Sequence, residues 1–205
     1  MGNFSHIDFE NEKVKRIAIS ALEVFSNNDY DKASTNMIVK KAGVPRGVLY
    51  YYFRNKEELF EYLIYQSQVI FILETEKSVD WENLNFINRY KKALYDKLEV
   101  MRVYPYMLDF LNKYRSHVYS KKIKTEFESD YSGFRDKLYC QNIDFDVVKE
   151  GVDFKEMVNI VRWTTKGMMQ ELIDNQSVGN FNEKMDSFKD EFCSYMDIIE
   201  RQFYK

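Results

Sequence analysis

Residues Ser34–Lys56 read S-T-N-M-I-V-K-K-A-G-V-P-R-G-V-L-Y-Y-Y-F-R-N-K. Two short helical patterns meet at Ala42-Gly43-Val44. Ser34 is a good N-cap, because its hydroxyl takes an otherwise unpaired N–H of the first turn. The pattern predicts a helix over Thr35–Ala42, with Met37, Ile38 and Val39 on its buried side. Gly43 supplies the turn. Pro45 fits the first position of the next helix, where its missing N–H costs nothing. That helix is predicted over about Arg46–Phe53. Val48, Leu49 and Phe53 form its packing face, so Arg46, Gly47, Tyr50, Tyr51 and Tyr52 surround the other. Tyrosines beyond what packing needs, on the second of two helices joined by a tight turn, give the layout of a helix-turn-helix. That unit lays its second helix in the DNA major groove.

Charge is distributed to match. From Lys32 to Lys56 there are six basic residues and no Asp or Glu, within a chain of formal net charge −3. The 31 residues before hold three basic and six acidic side chains, and the 149 after hold 21 and 27. A basic patch on an acidic protein points to a polyanion partner at that patch alone. Arg46 can reach a guanine edge or a phosphate. Gly47 lets a duplex approach the backbone closely. The tyrosine hydroxyls suit phosphate oxygens, and their rings suit thymine methyls. Ser34, Thr35 and Asn36 stand at a helix N-terminus, where free N–H groups and the dipole favour a phosphate. Lys56 is placed to clamp a second one.

Working outward, a first helix is predicted over about Asn11–Ser26, with Val14, Ile17, Ala18, Ala21, Leu22 and Phe25 on one face. It ends at Asn27-Asn28-Asp29, residues that tolerate left-handed backbone. Asn55 with Glu58 forms a capping-box-like start for a helix over Lys56–Lys77. Further helices are predicted over Asn83–Val103, Pro105–Arg115, Lys121–Tyr139, Phe154–Asn175 and Asn182–Tyr204. A loop covers Cys140–Asp153. With only 2 Pro and 7 Gly in 205 residues, the expected fold class is all-α, of about nine helices. At 45% hydrophobic residues the chain can bury a core. Its longest aliphatic and aromatic run, Val69–Leu73, is too short for a bilayer. Residues 1–31 do not read as a signal peptide. The expectation is a soluble, cytoplasmic protein. Cys140 and Cys193 lack metal-ligand spacing, and His6 and His117 lie far apart, so no metal, cofactor or catalytic residue is assigned.

Residues from about Asn11 to Tyr65 resemble the N-terminal domain of the tetracycline-repressor (TetR) family. The likeness rests on A-L-E-V-F (Ala21–Phe25), Tyr30, Ser34, Ile38, A-G-V (Ala42–Val44), R-G-V-L-Y-Y-Y-F (Arg46–Phe53) and N-K-E-E-L-F (Asn55–Phe60). It covers about a quarter of the chain. The resemblance implies a three-helix DNA-binding domain (residues 10–66, helix-turn-helix about 34–53) and a helical effector-binding and dimerisation domain (67–205). It also implies a homodimer on a double-stranded, palindromic operator, and DNA contacts at Ser34, Thr35, Arg46, Gly47, Tyr50, Tyr51, Tyr52 and Lys56. Asp29, Pro45 and Tyr52 depart from the family's usual glycine, serine and histidine. These departures, with those at Thr35, Asn36 and Val39, leave the operator sequence open.

Beyond Tyr65 the reading rests on stripes. Met157, Val161, Met168 and Leu172, with Phe188, Phe192, Met196 and Ile199, mark two amphipathic helices that fit half of a four-helix dimer interface. A stripe by itself equally fits intrachain core; an operator with two half-sites favours the dimer. Gly167 suggests close helix packing. The aromatic surplus, 17% of residues, suggests an internal pocket. The candidates are Tyr90, Met107, Phe110, Tyr114, Phe127, Tyr131, Phe134 and Trp163, for a small, mostly apolar or amphipathic effector. A cationic drug facing the rings also remains open. The functional reading is a ligand-responsive repressor without enzymatic activity. A constitutive DNA-binding protein without effector fits the same residues. A helical enzyme or carrier would need a catalytic constellation, and the sequence holds no Gly-rich phosphate loop, HExxH, GxSxG or Cys–His pair.

Overall fold

The computed structural model describes residue 4 and residues 6–114, 133–174 and 181–205. Among them the chain is helical, without a strand. The helices are α1 (Glu12–Asn27), α2 (Thr35–Ala42), α3 (Arg46–Tyr52), α4 (Lys56–Ser78), α5 (Phe86–Val103), α6 (Met107–Lys113), α7 (residues 133–140), α8 (Phe154–Asp174) and α9 (Phe181–Phe203). Two compact units arise. The first joins the chain up to Leu73 with the described residues from Val103 to Tyr114. The second holds Glu74–Arg102 and the described residues from 133 onward. The division falls inside α4.

Local signals set the helix starts. The Asn11 side chain accepts from the N–H groups of Lys13 and Val14 at 3.0 and 3.3 Å, opening α1. The Ser34 hydroxyl accepts from Met37 N at 3.3 Å. Asn55 accepts from Glu58 N at 2.8 Å, while the Glu58 carboxylate returns to Arg54 N, one residue before the cap. Three expectations change. Pro45 is the N-cap of α3 and not its first helical residue, with φ −59° and ψ 143°. Asn28 ends α1 in extended backbone, because its own N–H and its side-chain amide both bond Val24 O, and no left-handed residue is needed. The helix predicted from Asn83 starts at Phe86, because Asn83 caps Asn85 N and Asn85 caps Asn88 N. Gly43 carries the turn after α2 with φ +60°.

The first unit packs α1–α3 around Ile17, Phe25, Ile38, Leu49 and Phe53, all fully buried. Met37, expected inside, stands 40% exposed, because the inner face of α2 is taken by Ile38 and Ala42. An aromatic cluster extends this core. Phe60 meets Phe25, Phe110 and Tyr114 edge-on, at ring distances of 5.3, 5.3 and 4.8 Å. Lys113 then closes the C-terminal end of α1. Its ammonium donates to the carbonyls of Phe25, Ser26 and Asn28 at 3.1, 3.0 and 2.7 Å. Those are carbonyls a helix end leaves unpaired, and a cation there also meets the negative end of the dipole. The Tyr114 hydroxyl donates to Phe25 O and lies 3.3 Å from Asn28 O.

In the second unit α5 and α9 run antiparallel, tied by a polar ladder. Asn85 donates to Glu200 at 2.7 Å, Lys91 pairs with Asp197 at 2.6 Å, and Lys189 pairs with Glu99 at 2.8 Å. α8 and α9 bury Met157, Val161, Leu172, Phe192 and Met196. The stretch expected as loop after Cys140 holds a 3-10 turn at Phe145–Val147, and Val148 bridges Tyr204. Arg89 is 1% exposed and donates to the carbonyls of Trp81 and Gln141, which pins both connections to α5. Lys137 stacks over the Trp81 ring at 4.1 Å.

Candidate nucleic-acid interface

The turn at Gly43 sends α3 across α2 and leaves one face of α3 uncovered. Leu49 and Phe53 are its buried side; Tyr51 is 82% exposed and Tyr50 39%. Gly47 is exposed, and a Cβ built there would meet nothing within 4 Å. Its value is therefore open surface for an approaching partner, not room within the fold. Tyr50 is the organiser of this face. Its hydroxyl lies 3.1 Å from Thr35 Oγ1 and accepts from Arg46 Nη2 at 3.3 Å. The Arg46 guanidinium sits 5.3 Å from the Tyr50 ring centre. Those bonds, the one to Thr35 foremost, hold the Tyr50 hydroxyl below its ordinary pKa. Thus Thr35 at the start of α2 and Arg46 at the start of α3 are brought together through one side chain. Tyr51 and Tyr52 pack edge-on at 4.9 Å, which orders Tyr51 although it is exposed. Asn36 is exposed beside Thr35, and the Ser34 hydroxyl is held by Met37 N. Two helix N-termini, one arginine and two exposed phenols on a segment without carboxylates make a surface suited to a phosphate backbone and base edges.

Lys56 stands apart. Its ammonium donates to Tyr30 O at 2.7 Å and Ala33 O at 3.0 Å, and lies 4.3 Å from the Tyr30 ring centre. It fastens the α1–α2 connection, a role that sequence spacing does not reveal. Arg16 likewise donates to Gly43 O at 3.0 Å and braces the turn.

The effector candidates are divided between the two units. Met107, Phe110 and Tyr114 are buried in the first unit's aromatic core and are used there as packing. Tyr90 packs on Phe86 at 5.6 Å and on Tyr139 at 6.3 Å in the second unit, where Phe134 is also buried. Trp163 is 67% exposed. Phe127 and Tyr131 lie outside the described residues. The interface candidates also move. Met157, Val161, Leu172, Phe188, Phe192, Met196 and Ile199 are buried within the single chain, because α8 and α9 turn these stripes toward each other and the unit's interior. Met168 is half-buried beside a shallow cavity of about 310 Å³. The large apolar residues left uncovered are Ile160 and Trp163 on α8 and Tyr195 and Ile198 on α9, with Tyr195 at the edge of the buried stripe. Gly167, expected to mark close helix packing, follows Trp163 by one turn and has no neighbour within 4 Å of a built Cβ in the single chain. Among the described residues no group of His, Cys, Asp or Glu is placed to hold a metal ion, and no helix is long and apolar enough to cross a membrane.

Residues 19–63 match the family of bacterial regulatory proteins called tetR. Over that stretch the chain is similar to the tetR family. Over 67 residues the chain is 34% identical to the fatty acid metabolism regulator protein of Bacillus subtilis, covering 33% of this chain and 34% of that protein. Over 91 residues it is 33% identical to the HTH-type transcriptional regulator QacR of Staphylococcus aureus, covering 43% and 45%. The matches thus span between a third and a half of these relatives' length. Solved structures share the fold along nearly the whole chain. SmeT of Stenotrophomonas maltophilia in its triclosan complex superposes with TM-score 0.63 at 16% identity, over 94% of this chain and 92% of that one. FadR of Bacillus subtilis in complex with stearoyl-CoA superposes with TM-score 0.56 at 19% identity, over 90% and 96%.

Proposed function

We propose that the chain is a ligand-responsive transcriptional repressor that binds a palindromic operator as a homodimer. Residues 10–66 read the DNA, and residues 67–205 carry the effector and dimer contacts. The observation behind the DNA reading is the α3 face: Tyr50 and Tyr51 exposed, joined to Arg46 and to the start of α2, on a segment free of carboxylates. The matched relatives are named as regulators. Arg46 and Tyr51 are the base-edge contacts, and the N-terminus of α2 with Thr35 and Asn36 is the phosphate contact. Selection of binding sites from random duplexes, followed by gel shift, tests this. A preferred two-fold site is expected for the wild type. Tyr51→Ala and Arg46→Ala are expected to lose affinity for it by about 1–3 kcal/mol each. A chain that binds no duplex above the non-specific background contradicts the reading.

The dimer contact proposed is the exposed set Ile160, Trp163, Gly167, Tyr195 and Ile198. An apolar face on two neighbouring helices is the kind of surface a symmetric partner covers, and Gly167 allows a partner helix to come close. The effector is a small, mostly apolar or amphipathic molecule. Two proteins of this fold hold triclosan and stearoyl-CoA. The mechanism is a population shift. An effector that favours a dimer with mismatched half-site spacing lowers operator affinity by no more than its own preference between the two states.

A further inference from the structure

One face of α5 carries a residue that does not belong with its neighbours. Phe86, Tyr90, Ala93, Lys97 and Met101 recur at spacings of four, three, four and four, which sets them in one stripe. Phe86, Ala93 and Met101 are buried, as are Leu94 and Leu98 beside them. The opposite face, with Asn85, Lys91, Tyr95, Glu99 and Arg102, is the one bonded to α9. Lys97 therefore points away from that polar ladder, into the apolar side of α5. It is so deeply surrounded by protein that desolvation alone lowers its pKa, yet part of its surface stays uncovered. Its side chain is thus surrounded by the apolar face of the unit without being wholly covered. No hydrogen bond or carboxylate meets its ammonium among the described residues. The adjacent Asp96 is committed to Ser78 and Lys92.

A second unpaired group lies in the same unit. Thr75 is fully buried, and its hydroxyl has no partner among the described residues. The Ser78–Asp96 hydrogen bond sets this end of α4 against the middle of α5. Thr75 and Lys97 both fall within one turn of that contact. The ammonium can only donate and the hydroxyl can also donate, so one acceptor would satisfy both, and for the ammonium a negative one. Along the stripe from Lys97, Tyr90 packs with Phe86 and Tyr139 in an aromatic wall.

We propose that Lys97 and Thr75 form the head-group site for an amphipathic anion, a molecule with an apolar body and a terminal carboxylate or similar oxyanion. The apolar body lies along the stripe toward Tyr90. The cationic ligand that the aromatic surplus alone left open is disfavoured, because a buried ammonium repels it in a medium that screens poorly. This deepens the effector reading above and rests on it only for the consequence at the operator.

The test holds the apolar body constant and changes only the head charge. The full-length protein, without DNA, is titrated calorimetrically with dodecanoate, dodecanol and dodecyltrimethylammonium below their micelle concentrations. Dodecanoate is expected to bind at least tenfold more tightly than dodecanol, with the trimethylammonium weakest. Lys97→Met is expected to erase that preference, and to raise Tm because it removes a buried charge without a partner. Lys97→Gln serves if the Met variant fails to fold. Thr75→Val is expected to weaken dodecanoate several-fold and leave dodecanol unchanged. Equal binding of the three, absence of dodecanoate binding, or a carboxylate preference that survives loss of Lys97 overturns the proposal. Because no operator is present, failure here leaves the DNA reading intact. Failure to find an operator leaves this site standing.

Discussion

The uncovered faces of α3 and of the α8–α9 pair differ in what they leave in water. On α3 the exposed rings are tyrosines, one joined by its hydroxyl to Thr35 and Arg46, with no carboxylate in the segment. On α8 and α9 the exposed residues are Ile160, Trp163, Tyr195 and Ile198, beside a glycine with open space above it. A polar, basic, aromatic face suits a polyanion. An apolar face with a gap for a backbone suits another protein surface. The lesson is that exposure separates function from packing more sharply than hydrophobic periodicity does, since the stripes with the cleaner period proved to be the buried ones.

Substitutions at two neighbouring positions of α9 give the largest contrast. Phe192 is fully buried and Tyr195, three residues on, is 43% exposed. Phe192→Asp is expected to cost more than about 4 kcal/mol and unfold the chain, as an unpaired buried charge does. Tyr195→Asp, like Trp163→Asp, is expected to keep the melting temperature of the isolated protomer and yield a monomer. Circular dichroism melts with sedimentation velocity read both outcomes. A folded Phe192→Asp, or a dimeric Tyr195→Asp, breaks the comparison.

On the α3 side the effects are smaller and fall on affinity. Tyr51→Ala is expected to weaken operator binding by about 1–3 kcal/mol with stability changed by less than about 0.5 kcal/mol. Arg46→Ala should also lower the slope of log K against log salt by about 1. Lys56 sharpens the contrast between contact and scaffold. Because its ammonium is held by Tyr30 O and Ala33 O, Lys56→Met is expected to cost about 1–3 kcal/mol of stability, with little change in the salt slope. A salt slope that falls while stability holds would return Lys56 to the DNA surface. Gly43→Ala has the smallest expected effect, about 1 kcal/mol. The residue is left-handed, and the added methyl would crowd the Arg16 guanidinium, 2.7 Å away and free to shift. A thermal melt reads it.

The sequence was most legible where one residue decides one bond. Ser34, Gly43 and Asn55 each fixed a helix end that the structure keeps, and the exposed tyrosines followed from Leu49 and Phe53 claiming the inner side of α3. It was least legible where burial depends on partners far along the chain. Met107, Phe110 and Tyr114 read as pocket residues by composition. Only the fold shows Phe25 and Phe60 already filling the space beside them. The stripes of α8 and α9 have the same period whether they face a second copy or their own core, so periodicity could not choose. The roles of Lys56 and Lys113 rest on carbonyls that carry no sequence signal at all.

The central claim is that one recognition helix from each of two protomers reads a two-fold site. Hydroxyl-radical footprinting on a selected duplex tests it most directly, with the wild type beside Trp163→Asp. The account predicts two protected patches related by a two-fold axis, about 34–36 Å apart or a multiple of it, and a marked loss of both with the monomeric variant. A single asymmetric patch, or an unchanged footprint from a chain shown to be monomeric, would contradict it.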